Sequence, residues 1–260
     1  MNIGLIGQGA IAKYVSTELA NRGMFPAVYL VTPPQRSAGP DPDARRVTRA
    51  EQLPDNLGLM VDCAGHAGLA AHGPAILARG IDLVTVSLGA LADPNLLCEL
   101  EAAAEAGSAR LHLASGAIGA LDCLRAARVG GLDEVTYIGR KPPSGWRGSP
   151  AEDRLDLDTL DAAAVHFEGS ARQASIDYPK NANVAAAVAL AGVGFEATRV
   201  RLIADPGLSA NIHEVHAAGT FGQFSFRIEG HALPDNPRSS ALAAMSVVAA
   251  IEQQMNTIIM

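Results

Sequence analysis

The sequence lacks the features that mark several broad classes of protein. It has no run of about 20 consecutive apolar residues, the length a helix needs to cross a bilayer core of about 30 Å, so no membrane association is expected. It carries 20 Lys and Arg against 27 Asp and Glu and shows no basic stripe, so nucleic acid is not an expected partner. No positively charged region precedes the first apolar stretch, so no signal peptide is predicted and the expected location is cytoplasmic.

Cysteine is also scarce. The three thiols, Cys63, Cys98 and Cys123, are an odd number without C-x-x-C spacing. This pattern excludes a fully paired disulfide framework and gives no basis for a zinc or other metal site. The sequence therefore predicts buried, reduced thiols, as is usual in the cytoplasm.

The 260 residues, 48% of them hydrophobic and 18% charged, can form one large or two small globular domains. Strand and helix patterns alternate over the first 120 residues, which predicts parallel strands joined by crossover helices. Three strand candidates between residues 200 and 229 follow in close succession, which is typical of an antiparallel or mixed sheet. We therefore predict an α/β protein, with a Rossmann-type parallel sheet domain at 1–120 and 239–260, and a mixed α/β second domain at 121–238.

Two segments are predicted to be irregular. Residues 37–56 contain Gly, Pro, Asp and Arg with little periodicity and are expected to be a surface connection. Residues 141–150 are rich in Pro, Gly and Ser and are expected to form a mobile surface loop, although they contain the only tryptophan, Trp146.

The first dozen residues carry the strongest motif. A short apolar strand at residues 3–6 leads into a G-x-G-x-x-A turn, and a helix is predicted to follow it. In such a turn the first glycine allows the tight bend, the second lets a pyrophosphate approach the backbone, and the alanine lets the helix pack against the sheet. The helix start then offers free N–H groups to the diphosphate. The sequence thus predicts a dinucleotide site made by Gly7, Gln8, Gly9, Ala10 and Ile11.

The second predicted strand lacks the acidic residue that binds the ribose hydroxyls of NAD in many Rossmann domains. It ends in Thr32-Pro33-Pro34-Gln35-Arg36 instead. Nothing obvious there repels a 2′-phosphate, and Arg36 could pair with one, so we expect NADP to be accepted as well as NAD. An equally good reading is that Arg36 is a solvated loop residue.

His213 lies in a predicted strand at residues 211–218. Because side chains alternate along a strand, Asn211 and His213 share one face and His216 the other, so the two histidines make a poor metal pair. A structural role is the commoner one for a lone strand histidine, but an imidazole also titrates in the range that a general acid or base needs. His66, at the end of another strand, is expected on the cofactor rim and is the second choice for a catalytic role.

Two helix starts in the second half also carry polar residues. Asn183 stands where a helix N-cap would, or could reach the cofactor with its amide. Arg238, Ser239 and Ser240 precede the last predicted helix, where they could cap it or bind a substrate carboxylate. At this last helix start the two roles can coexist.

Taken together, these stretches resemble the L-aspartate dehydrogenase family over nearly the whole chain. The resemblance rests on residues 4–12, 87–93, 115–122, 179–184, 211–214 and 236–240, which read GLIGQGAIA, SLGALAD, SGAIGALD, PKNANV, NIHE and NPRSS. It implies a Rossmann domain, a second domain like that of dihydrodipicolinate reductase and a homodimer. It also implies NAD(P)-dependent oxidation of L-aspartate to iminoaspartate, which hydrolyses to oxaloacetate and ammonia or feeds NAD biosynthesis.

The resemblance further assigns roles to individual residues. The catalytic histidine of the family falls on His213, and two further cofactor contacts fall on Ala117 and Asn183. Our mechanistic hypothesis adds that Lys180 and the Arg238-Ser239-Ser240 helix start hold the carboxylates of aspartate. The rival functions are a related imine or keto-acid reductase with another substrate, and an NAD(P)H-binding regulator without turnover.

Overall fold

The computed structural model describes residues 1–31, 44–179, 181–233 and 236–258, with the backbone alone for 236–239. Within it the chain forms two compact units. The first comprises Met1–Ala114 and Ala243–Met260, and the second comprises Ser115–Leu242.

The first unit contains a six-stranded sheet in which all pairings are parallel. The strand order is β3-β2-β1-β4-β5-β6, so the sheet grows in opposite directions from β1 and β4. This reversal places the ends of β1 and β4 at the position where ligands bind in doubly wound sheets. The strands are β1 (Asn2–Ile6), β2 (Val28–Leu30), β3 (Arg45–Val47), β4 (Leu57–Asp62), β5 (Asp82–Thr85) and β6 (Leu111–Leu113).

Three helices connect these strands, and their ends follow local sequence signals. The Asp93 side chain caps the third helix by accepting a hydrogen bond from the Asn95 N–H at 2.9 Å. Ala12 is fully buried, as the close packing of the first helix on the sheet requires. The helices are α1 (Ala10–Ala20), α2 (His66–Ala78) and α3 (Pro94–Gly107).

The second unit is built on a mixed five-stranded sheet with the order β11-β10-β7-β9-β8. Strands β7 and β9 are parallel, and the other neighbours are antiparallel. A parallel Rossmann-type sheet and a second, mixed sheet are the fold class that the sequence predicted. The strands are β7 (Leu132–Lys141), β8 (Ala164–Ser170), β9 (Arg199–Ala204), β10 (Asn211–Gly219) and β11 (Gly222–Gly230).

Helices and a short two-stranded ribbon complete the second half of the chain. No helix in the described ranges is long and apolar enough to span a membrane. The helices are α4 (Leu121–Gly130), α5 (Ala171–Asp177), α6 (Asn183–Ala191), α7 (Gly194–Ala197) and α8 (Ala241–Gln253), and the ribbon strands are β12 (Ala232–Leu233) and β13 (Asn236–Ser240).

The last helix, α8, returns to the core of the first unit. Its residues Val247, Val248 and Ile251 are buried together with Leu5 of β1 and Val15 of α1. Burying such side chains contributes about 1.5–3 kcal/mol each relative to exposing them. Packing against the first unit therefore explains why α8 is so apolar, and no separate function is needed.

Strand β7 shows the alternation that gives the second sheet its two faces. Val135, Tyr137 and Lys141 are buried, whereas Thr136 and Ile138 between them are only half-buried. The buried residues share one face, and α4 packs against β7 and β10, so this face carries the core of the unit.

The prediction of a mobile surface loop at residues 141–150 was wrong. Lys141 is the buried last residue of β7, and a short 3₁₀ helix follows at Pro143–Trp146. Trp146 is fully buried, and its indole N–H donates to the Ile203 carbonyl at 3.0 Å. The Pro and Gly residues indicate the turns around Trp146, but they carry no information about the burial of Trp146 itself. For this reason the composition gave a wrong prediction.

Two smaller predictions were also corrected. Residues 45–47, expected in a surface connection, form the edge strand β3, which is stabilised by parallel pairing with β2 and has no alternating pattern of its own. Cys98 and Cys123 are exposed and Cys63 is only half-buried, so the three thiols are free but not all buried. Helices α3 and α4 carry the two exposed thiols on their solvent faces.

Candidate functional site

The glycine turn after β1 has the conformation that its sequence demands. Gly7 has a φ of +89°, a left-handed value that favours glycine, and its N–H donates to the Leu30 carbonyl at 2.9 Å. A Cβ on Gly7 would lie 3.1 Å from the Cβ of Ala64, so close packing adds to the requirement. The first glycine of the motif therefore makes the turn, as predicted.

The second glycine leaves open space in front of the helix. Gly9 precedes α1 as its N-cap residue, and a Cβ there would meet no atom of the described residues within 4 Å. Among the described residues no side chain caps α1, and its first turn has no acidic residue. Open space beside free N–H groups and a positive dipole end fits the diphosphate of a dinucleotide.

A buried carboxylate, which the sequence analysis missed, organises the neighbouring strand ends. Asp62 at the end of β4 is inaccessible to solvent and accepts hydrogen bonds from the hydroxyls of Thr85 at 2.8 Å and Ser87 at 2.6 Å. It also accepts from the Ala64 N–H at 2.9 Å. Burial raises the pKa of Asp62, and these donors oppose that rise. The carboxylate thus ties the ends of β4 and β5 together beside the glycine turn.

The other predicted cofactor residues are distributed over both units. His66 is the half-buried first residue of α2 and lies close enough to Asp62 to affect its pKa. Arg36 lies outside the described residues. Ala117 is buried in the loop between β6 and α4, and Asn183 is the first residue of α6, so the helix N-cap is Ala182 rather than Asn183.

The second unit places His213 on the buried face of its sheet. His213 lies in β10, is 4% exposed, and is paired with Gly139 of β7. The Tyr137 hydroxyl lies 2.7 Å from Nδ1 of His213. The two rings are stacked with their centroids 6.0 Å apart. The hydroxyl therefore fixes the orientation of the imidazole.

Gly139 makes this arrangement possible. A Cβ on Gly139 would lie only 2.7 Å from the hydroxyl oxygen of Tyr137. Because Gly139 has no side chain, the phenol of Tyr137 can cross the space beside it to reach the imidazole on the neighbouring strand. The Tyr-x-Gly spacing in β7 is the sequence signal that, with the strand register, could have revealed the pair.

Electrostatics keep this imidazole neutral. Burial, together with the smaller effect of the nearby Lys141 charge, lowers the pKa of His213 to about 3. Burial also raises the pKa of Tyr137, so the phenol remains protonated. The pair is therefore neutral near pH 7, and the position of its shared proton decides which nitrogen of His213 can accept another.

Lys141 and an aromatic cluster lie near His213. The Lys141 ammonium donates to Oδ1 of Asn181 at 2.7 Å and lies 5.0 Å from the ring centroid of Trp146. Trp146 packs edge-on against His166, whose Nδ1 lies 3.1 Å from the Tyr178 hydroxyl. Burial of the tryptophan thus holds the segment that carries the lysine.

The remaining sequence-predicted residues are placed as follows. His216 is on the opposite face of β10 from His213, as the alternation predicted, and its Nδ1 lies 2.8 Å from the Ser225 hydroxyl. Ser240 is half-buried at the end of β13. Lys180 and the side chains of Arg238 and Ser239 lie outside the described residues. Over the described ranges no cluster of His, Cys, Asp or Glu has the arrangement of a metal site.

Two models of known protein families match this chain, one largely within each unit. A family model described as "Homoserine dehydrogenase, NAD binding domain" matches residues 7–114, and one described as "Aspartate dehydrogenase, C-terminal" matches residues 122–254. The second match includes β10 and His213.

Similar proteins match this chain over nearly its full length. An L-aspartate dehydrogenase from Ruegeria pomeroyi is 55% identical over 98% of this chain and 92% of its own length. One from Pseudomonas aeruginosa is 45% identical over 99% of both chains. The crystal structure of aspartate dehydrogenase from Thermotoga maritima has a TM-score of 0.76 at 28% identity, covering 100% of this chain and 99% of that one. The chain therefore belongs to the aspartate dehydrogenase family.

Proposed function

We propose that this protein is an NAD(P)-dependent L-aspartate dehydrogenase. It would oxidise L-aspartate to iminoaspartate, which hydrolyses to oxaloacetate and ammonia, and it would catalyse the reverse reductive amination. The family membership supports this activity, and the observation that carries it is the neutral, buried His213 oriented by Tyr137. An imidazole held in this way suits proton transfer to and from a substrate nitrogen.

The glycine turn and helix start fit the cofactor. We propose that Gly7, Gln8, Gly9, Ala10 and Ile11 hold the diphosphate of NAD or NADP, because Gly9 leaves the required space at the start of α1. When bound, the nicotinamide supplies the acceptor for the hydride that leaves the α-carbon of aspartate. Further contacts to the cofactor are proposed for the rim and loop residues Arg36, His66, Ala117 and Asn183.

His213 would act on the amino group. The α-ammonium of aspartate must lose a proton before its nitrogen lone pair can form the C=N bond, and a neutral imidazole can accept that proton. Its Nε2 is available when Nδ1–H donates to the Tyr137 hydroxyl oxygen. A substrate carboxylate nearby would raise the pKa of His213 from its low value and strengthen it as a base.

The substrate carboxylates need cationic and hydrogen-bonding partners. For this role we retain Lys180, Arg238, Ser239 and Ser240, since a helix start with hydroxyls and a guanidinium suits a carboxylate. The backbone supports this in one respect: Ser240 immediately precedes α8, so the helix start lies where the sequence placed it.

We also propose a homodimer that works in the cytoplasm. The face of the second sheet opposite His213 carries Glu214, which lies 3.7 Å from Arg140 and 3.8 Å from Arg227. The family resemblance implies self-association, and this sheet face is the surface that we propose for it. Free thiols at all three cysteines suit a reducing compartment. The imine product would serve as a precursor for NAD biosynthesis.

Substrate-dependent absorbance at 340 nm tests this function. Purified protein with NADH or NADPH should oxidise the cofactor when oxaloacetate and ammonia are added, and L-aspartate with NAD⁺ or NADP⁺ should reverse the change. Pyruvate, 2-oxoglutarate and glyoxylate, each with ammonia, are the comparison substrates.

The other outcomes separate the rival functions. Faster turnover with another keto acid than with oxaloacetate identifies a related reductase and contradicts the substrate assignment. Cofactor binding without turnover of any substrate points to a regulator and contradicts the enzymatic assignment.

A further inference from the structure

Lys141 is a buried cation with unused hydrogen-bonding capacity. Its side chain is at the end of β7 on the same face as Tyr137, and the residue is 8% exposed. An ammonium has three N–H donors. In the part of the chain that the structure describes, Nζ donates to one atom, Oδ1 of Asn181 at 2.7 Å.

The partners that Lys141 does have are neutral. The amide of Asn181 and the ring of Trp146 at 5.0 Å stabilise a cation but do not neutralise it. No carboxylate of the described residues lies within ion-pair distance of Nζ. Burial lowers the pKa of this ammonium to about 8, which reflects the cost of holding the charge there without an anion.

The position of Lys141 relates it to His213. Gly139, two residues before Lys141 on the same face of β7, is paired directly with His213 of β10. The charge of Lys141 is near enough to lower the pKa of His213. A Cβ on Gly145 would lie 3.2 Å from Cβ of Lys141 and 3.8 Å from Oδ1 of Asn211, so a polar strand residue approaches the same place.

We propose that the Lys141 ammonium binds a carboxylate of the dicarboxylic substrate beside His213. This inference rests on the proposed function for the identity of the substrate, but the anion-binding property belongs to the site itself. Two spare N–H donors match the two oxygens of a carboxylate, and Asn181 orients the ammonium by occupying the third donor. The bound anion would supply the charge that the buried lysine lacks.

Three variants test this role. Lys141→Met removes the charge and keeps the length, Lys141→Arg keeps the charge, and Arg125→Met removes a charge from the exposed face of α4 in the same unit. We expect Lys141→Met to raise KM for L-aspartate by about 10- to 100-fold, the effect of losing a charged hydrogen bond, with KM for the cofactor unchanged. Lys141→Arg should recover part of the loss, and Arg125→Met should match the wild type.

A binding measurement gives an answer that does not depend on turnover. Succinate should raise the melting temperature of the wild type in the presence of NADPH, and propionate, with one carboxylate, should raise it less. Lys141→Met should abolish the succinate effect. An unchanged KM for aspartate together with unchanged protection by succinate would overturn the proposal.

If Lys141→Met does not fold, the pH dependence of succinate binding to the wild type tests whether Lys141 binds the carboxylate. The titratable and charged groups packed around Lys141 are Tyr137 on its own strand, His213 on β10, His166 with Arg154 near β8, and Asp205 after β9. The pKa values of His213 and His166 are lowered and that of Tyr137 is raised. The charges of these three residues are therefore constant between pH 7 and 9, where Lys141 loses its proton. Succinate protection should therefore weaken above about pH 8, and constant protection up to pH 9.5 would contradict the role.

The experiments distinguish failure of the anion site from failure of the proposed function. Absence of aspartate turnover in the wild type contradicts the proposed function alone, because succinate protection that depends on Lys141 still supports the anion site. Normal aspartate turnover, with both KM and succinate protection unaffected by Lys141→Met, contradicts the anion site alone.

Discussion

The hydroxyl of Tyr137 lies 2.7 Å from Nδ1 of His213, and both residues are buried on the same face of one sheet. The two residues are 76 positions apart in sequence and meet because β7 and β10 are antiparallel neighbours. Tyr137 is thus a positioning residue, which acts on the substrate only through the imidazole it orients.

Tyr137→Phe tests this positioning role. Losing one buried hydrogen bond should lower kcat about 3- to 20-fold, the effect of about 0.5–1.5 kcal/mol plus loss of ring orientation, while cofactor affinity is unchanged. The pH profile of kcat should also shift, because the Tyr137 hydroxyl no longer selects the tautomer of His213. Steady-state kinetics from pH 6 to 9.5 measure both effects.

Tyr178→Phe is the matched control. It removes a hydroxyl 3.1 Å from Nδ1 of another buried histidine, His166, in the same unit. We expect it to lower the free energy of unfolding by about 1 kcal/mol without shifting the pH profile. Equal effects of the two variants on kcat and on its pH profile would show that Tyr137 has only a structural role.

His213→Ala tests the catalytic assignment directly. Proton transfer by a positioned side chain contributes about 10²–10⁴-fold, so turnover should fall by that factor while NAD(P)H still binds. His216→Ala, on the other face of the same strand, should retain most of the activity. Near-normal turnover of His213→Ala would remove this residue from the proton transfer.

The fold could be predicted because its signals are local. The alternation of strands and helices over the first unit and the short turns between β9, β10 and β11 are present in neighbouring residues. Features that depend on distant residues were missed. Strand β3 forms by pairing with β2, and Trp146 is buried through contacts with His166, so neither has a local pattern.

The end of α3 shows a glycine that is selected by packing. Glycine commonly ends a helix by adopting a left-handed conformation, but the left-handed residue at this end is Ser108, with a φ of +52°. Gly107 is needed instead because a Cβ there would lie 1.9 Å from the Leu77 carbonyl oxygen. Packing against α2, which the sequence alone does not display, selects this glycine.

The candidate site was only partly predictable for the same reason. The glycine turn is a contiguous motif and could be identified together with its conformation. Strand register brings Tyr137 and Lys141 to His213. Asp62 contacts Ser87 because β4 and β5 are neighbouring parallel strands. Single residues of these types in strands have many structural uses, so without register they carry no signal.

Asp62→Ala tests the carboxylate that joins the strand ends. The substitution leaves the hydroxyls of Thr85 and Ser87 without their acceptor, and we expect the free energy of unfolding to fall by about 2–4 kcal/mol. Urea denaturation followed by circular dichroism measures this change. Asp93→Ala, which removes the helix cap of α3, should cost only about 1 kcal/mol, and a similar cost for both variants would contradict the role of Asp62.

Two buried histidines make stability depend on pH. In the unfolded chain a histidine has a pKa of about 6.5. Burial lowers the pKa of His213 to about 3 and of His166 to about 4 in the folded state. As the pH falls below 6.5, the unfolded chain therefore binds protons that the folded chain excludes. Stability is complete above pH 6.5 and is lost at lower pH by about 1.4 kcal/mol per pH unit for each histidine.

Urea unfolding at pH 7.0 and 5.5 measures this dependence. His166→Asn and His213→Asn should each flatten the slope of the free energy of unfolding against pH, and the double variant should flatten it further. His216→Asn, on the opposite face of β10, should leave the slope unchanged. The same slope in the wild type, His166→Asn, His213→Asn and the double variant would show that neither buried histidine controls acid stability.

Gly9→Ala tests the cofactor site without disturbing the fold. A Cβ at this position meets no atom of the described residues within 4 Å, and the φ of −73° is ordinary for alanine, so stability should be unchanged. If the diphosphate passes over Gly9, the added methyl group occupies its path. NADPH affinity, measured by fluorescence titration, should then fall about tenfold or more. Gly130→Ala, at the end of α4, also adds a methyl group without a close contact and should bind NADPH normally. Equal affinity in both variants would mean that the cofactor does not approach the backbone at Gly9.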